Sequence, residues 1–188
     1  MSGTFGDRGR SLENAFFANR DQQLLDALRS QLDNCESAAD KLQAVSGIKD
    51  AAVLKQLTDH GITAETLAAV MLIPLVEVAW ADYVMDDREK KAILDGAKSS
   101  GMDESCSTYA LLASWIEEKP AAALMDTWRK YATELKAMVS ASAMARISES
   151  IIGRSREVAL AAGGILGLGN KISKAEQVIL DEIETLLK

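Results

Sequence analysis

From Leu67 to Ala81 almost every position is apolar: Leu67, Val70, Met71, Leu72, Leu75, Val76, Val78, Ala79 and Trp80 follow one another, and Glu77 is the one charge among them. A helix that is apolar all round belongs at the centre of a core. Pro74 has no amide hydrogen and crowds the carbonyl four residues before it, so the pattern predicts a kink or a break near Val70 to Leu72. A short acidic turn follows, and then a second, one-sided helix that Ser99-Ser100-Gly101 brings to a stop. The apolar run is shorter than the roughly 20 residues a bilayer requires, and Glu77 and Asp82 interrupt it, so it reads as a core helix with no transmembrane segment.

The remaining stretches show helical periodicity on one face. From Ser11, the residues Leu12, Phe16, Phe17, Leu24, Leu25, Leu28 and Leu32 recur at steps of three, four and seven. That stripe predicts one long amphipathic helix from Ser11 to about Leu42, about 45 Å in length. Residues 1–10, with three glycines and little to bury, read as a mobile lead-in. Asp50 is placed to cap a helix over Ala51 to Asp59, His60-Gly61 to end it, and Thr63 to cap the central helix. Further helices are expected around Tyr109 to Ile116, Leu124 to Met138, Ala143 to Ala162 and Ser173 to Leu187, with Lys119-Pro120 and the glycine-rich GGILGLGNK as connections.

No segment alternates as a strand does, so the expected class is all-α: a compact multi-helix bundle of helical hairpins (46–188) carrying an amino-terminal lead-in and helical arm (1–45). The length of 188 residues, 48% of them hydrophobic, suffices for a sizeable core. A net charge of −7 with no basic face argues against nucleic acid as a partner. The first residues lack the apolar stretch of a secretory signal, which makes the cytoplasm the expected compartment. Cys35 and Cys106 have no neighbouring Cys or His and read as ordinary thiols.

Catalytic equipment is sparse. His60 is the sole histidine and sits where a helix carboxyl terminus favours it. There is no Cys-His pair, no Ser-His-Asp set and no phosphate loop, since the glycine-rich stretch lacks the Lys-Ser/Thr ending and follows no strand. A nonenzymatic protein is therefore expected. Two readings of the acidic turn stay open. Glu77, Asp82, Asp86, Asp87 and Glu89 would converge on a hard divalent cation such as calcium, magnesium or manganese, with Glu77, Asp82, Asp86 and Glu89 as the ligand set. Alternatively, Asp86-Asp87-Arg88-Glu89 is a capping box, echoed by Ser173-Lys174-Ala175-Glu176 in a weak internal repeat of 76–94 and 158–180.

The pattern of apolar helix, Ala81-Asp82, Met85-Asp86, Glu89 and helix resembles the TerB-like family, named for a tellurite-resistance protein and shared with the amino-terminal region of DjlA co-chaperones. The likeness covers about residues 61–188, with Lys171-Ile172 and Glu176 as a partial echo and Tyr83 where the family has glycine. It implies a compact all-helical domain, a stress-response role and a divalent metal at the acidic residues. The run TFGDRGRSLENAFFANRDQQLL is similar to the start of zeta-type inhibitors of bacterial ATP synthase. That second likeness implies an insertion face of Phe5, Arg8, Leu12, Phe16 and Phe17. The apolar stripe, extended to Leu24, makes the arm the expected contact with a protein partner or with a second copy.

Overall fold

A computed structural model of the chain describes residues 5–17, 22–33, 35–82, 85, 87–99, 104–105, 107–117, 122–163 and 172–188. At 5, 14–17, 22–25, 88, 89, 99, 107, 122, 123, 162 and 163 it describes the backbone alone. These residues form ten helices and no strand: α1 (Phe5–Phe17), α2 (Gln22–Leu32), α3 (Ala38–Ser46), α4 (Ala51–Asp59), α5 (Ala64–Ala79), α6 (Asp87–Ser99), α7 (Ser107–Glu117), α8 (Ala122–Met138), α9 (Ala141–Gly163) and α10 (Lys174–Leu187). The all-α bundle expected from the periodicity is the fold.

α5 occupies the centre. Of its 16 residues, every one except Glu65 and Glu77 is buried, and α1, α3, α7, α8, α9 and α10 pack around it. Its amino terminus is capped by Thr63, whose hydroxyl accepts the Thr66 amide at 3.1 Å. Asp50 caps α4 by accepting from the Ala52 and Val53 amides, and Ser173 forms the capping box with Glu176 ahead of α10. The box expected from Asp86 and Glu89 lies outside the described residues.

Pro74 does not break α5, which continues from Ala64 to Ala79. The lost amide orphans the Val70 carbonyl. The indole Nε1 of Trp128, on α8, donates to that carbonyl at 3.0 Å. A donor from another helix thus satisfies the group that the proline leaves bare.

The single long amino-terminal helix is replaced by three. α2 ends at Leu32, and α3 starts afresh behind Ser37, whose hydroxyl accepts the Asp40 amide at 3.1 Å while the Asp40 carboxylate takes the Ser37 amide at 3.0 Å. This capping box supplies free helical amides with partners and outcompetes continuation of the helix. The junction of α1 and α2, residues 18–21, lies outside the described residues. Nor are residues 1–10 all lead-in, because α1 begins at Phe5. Leu12, Leu28, Leu32, Leu42 and Val45 all enter the same core as α5. Among the described residues, no single helix is long and apolar enough to cross a membrane.

Candidate functional site

The acidic turn follows directly from the end of α5. Glu77 lies half-buried in the last turn of that helix, and Asp82 is exposed just beyond it; neither is without a partner. Asp87 opens α6 and is exposed. Asp86 and the side chain of Glu89 lie outside the described residues. Among the described residues no three carboxylate, thiol or imidazole groups cluster in a way that would hold a metal ion. His60 is the exposed carboxyl-terminal cap residue of α4, its backbone amide donating to the Gln56 carbonyl at 3.0 Å. Cys35 is a free thiol packed against the core, and Cys106 lies outside the described residues.

The amino-terminal arm is folded onto its own bundle. α1 packs on α5 and α8, and α2 on α7. Leu12, expected on a partner-facing surface, is 0% exposed. Arg8 forms an ion pair with Glu134 of α8. Gly9 faces the α5–α8 junction: a Cβ placed there would lie 3.5 Å from Tyr131 and 3.7 Å from Thr66. The side chains of Phe5, Phe16, Phe17 and Leu24 lie outside the described residues.

A polar clasp completes this contact at the start of α5. The Thr66 hydroxyl donates to the Glu13 carboxylate at 3.2 Å, and the Thr63 hydroxyl lies 3.5 Å from it. Arg29 of α2 reaches Glu65 at 3.3 Å and Glu13 at 3.8 Å. Burial pushes the Glu13 carboxyl above the usual glutamate range, and the negative charge of Glu65 adds to the effect. The Thr66 hydrogen bond and Arg29 pull it partway back. Burial likewise raises the Tyr131 phenol, with Glu13 contributing. None of these residues except Arg8 and Leu12 carried a signal of function in the pattern; Glu13 and Arg29 meet because α1 and α2 both reach the α5 amino terminus.

The bundle also has an open cleft of about 680 Å³ along α9, beside the carboxyl-terminal ends of α8 and α10. Met144, Ile152 and Leu187 supply its apolar surface. No sequence motif marks it, although Gly153 in the middle of a long helical run was a legible oddity.

No family model, curated protein or solved structure matches this chain.

Proposed function

We propose that the chain is a nonenzymatic interaction module of TerB-like type, which engages a protein partner or a second copy of itself through its amino-terminal helix. The observation that carries this reading is the way α1 is attached. Among its described side chains Leu12 is the one buried apolar anchor, and the other described side-chain contacts are polar: Arg8 to Glu134, and Glu13 to the threonines and Arg29. Segments held by few buried apolar contacts and many polar ones belong to the low-stability end of a fold and open ahead of its core. Once released, α1 offers an amphipathic face of the kind that docks in a partner's groove, and it uncovers its own seat on α5 and α8.

Locking the segment tests the reading. A Gly9→Cys/Thr66→Cys pair, with Cys35 and Cys106 replaced by serine, places two thiols where the added Cβ and the Thr66 side chain lie 3.7 Å apart, close enough for a disulfide. The oxidised chain should lose partner capture and self-association in affinity purification and sedimentation, and the reduced chain should regain them. Equal behaviour of the two forms in both measurements would refute the release of α1.

A further inference from the structure

α9 contains a glycine that its own fold does not require. Gly153 sits in the helix interior, exposed to solvent, and a Cβ added there meets nothing within 4 Å. Its backbone does not take the left-handed conformation that Gly47 and Gly61 adopt. Glycine is unfavourable at such a position relative to alanine. The missing side chain leaves space on the wall of the cleft that α9 shares with the ends of α8 and α10.

Two polar groups on the same cleft have hydrogen-bonding capacity left among the described residues. Ser148 is only 5% exposed and lines the cleft, and its hydroxyl has no hydrogen-bond partner among the described residues. A hydroxyl that opens on a cavity is a ready contact for a ligand. Lys136, at the mouth, touches only the neutral Leu186 carbonyl at 3.4 Å among the described residues. The other charges there are already matched: Glu184 takes both Arg156 and Lys188, and Glu149 is bound by Arg146. Among the described residues Lys136 is thus a cation without a carboxylate partner at the edge of an apolar surface.

We propose that this cleft binds a monocarboxylate with an extended apolar body. Lys136 pairs with the carboxylate, and the Ser148 hydroxyl donates to one of its oxygens. The apolar body runs over Met144, Ile152 and Leu187 through the space left open at Gly153. A volume of about 680 Å³ falls in the range of small-ligand sites.

Calorimetric titration of the full chain with decanoate, and with decanol as the uncharged comparison, tests the assignment. Saturable one-to-one binding of decanoate is expected, with decanol at least tenfold weaker. Gly153→Leu fills the space in which an added Cβ meets nothing within 4 Å, and should weaken decanoate at least tenfold while leaving the melting temperature undiminished. Lys136→Gln should erase the preference for the acid over the alcohol, and Ser148→Ala should weaken both ligands. Absence of saturable decanoate binding overturns the proposal, as does binding indifferent to Gly153→Leu or equal affinity for decanol. Sedimentation with phosphatidylglycerol vesicles is the second arm: a chain that follows the vesicles yet ignores decanoate also overturns it.

Discussion

The indole of Trp128 and the carbonyl of Val70 are joined by a hydrogen bond of 3.0 Å in the interior of the bundle. The carbonyl is available because Pro74, four residues on, has no amide hydrogen to offer it. An unsatisfied buried carbonyl costs about 1–3 kcal/mol. Trp128→Phe should therefore destabilise the chain by about that amount, beyond its loss of packing. With Pro74→Ala the helix regains its own donor at position 74, and the cost of Trp128→Phe should shrink by about 1 kcal/mol. Urea unfolding of the four members of this cycle is the measurement. An equal cost in both backgrounds would sever the link between the proline and the tryptophan.

The Glu13 clasp predicts a particular pH dependence. A carboxyl whose folded value is raised binds its proton more tightly in the folded state than in the unfolded one. Its stabilising contribution is complete in acid, below the ordinary glutamate value of 4.5, and is lost as pH rises through the raised folded value. Glu13→Gln keeps an acceptor for the Thr66 hydroxyl and removes the buried charge. It should melt above the wild type at neutral pH, with the gap closing in acid. A gap that widens in acid would reverse the sign and refute the role given to burial.

Gly47 and Gly61 both sit at φ 70°, in the left-handed region. Replacement by alanine costs about 1–2 kcal/mol in backbone conformation at either site. The surroundings differ. A Cβ at Gly61 meets nothing within 4 Å, whereas at Gly47 it would lie 2.8 Å from Arg154 Nη2, the group that donates to the Ser46 carbonyl at 2.9 Å. Gly47→Ala should thus destabilise more than Gly61→Ala, and measured against Arg154→Ala alone the excess cost of Gly47→Ala should largely vanish. Thermal melts of these variants decide the matter.

α6 and α9 cross closely at Gly96, where an added Cβ would lie 3.3 Å from Ala161 Cβ and 3.5 Å from the Glu157 carbonyl oxygen. Gly96→Ala should stay within about 1 kcal/mol of the wild type, since its gain in helix propensity offsets the tight contact. Gly96→Leu has no such room and should cost about 1–3 kcal/mol. Chemical denaturation measures both, and a neutral leucine variant would show that the crossing is loose.

Much of the architecture was legible in the chain because its causes are local. The apolar run from Leu67 to Ala79 could only be a core helix, and it is. The caps at Asp50, Thr63 and Ser173 stand where their side chains find free amides within three residues. The turns at Gly47 and Gly61 follow from the freedom of glycine at positive φ. Even the break before α3 was written in Ser37-Ala38-Ala39-Asp40, although the apolar stripe running across it read as one uninterrupted helix.

The rest depended on partners distant along the chain. Periodicity shows that Leu12 is on an apolar face but not what that face meets, and in the fold Leu12 is buried where α1 packs on α5 and α8. Pro74 signals a broken helix until Trp128, 58 residues away, restores the missing bond. The cleft beside α9 lies where the ends of α8 and α10 come up against the flank of α9, a matter of lengths and crossing angles that no local run of residues encodes. Caps, turns and burial faces are settled by neighbours a few bonds off, whereas the satisfaction of a distant carbonyl and the shape of an open cleft arise only when separate helices are brought together.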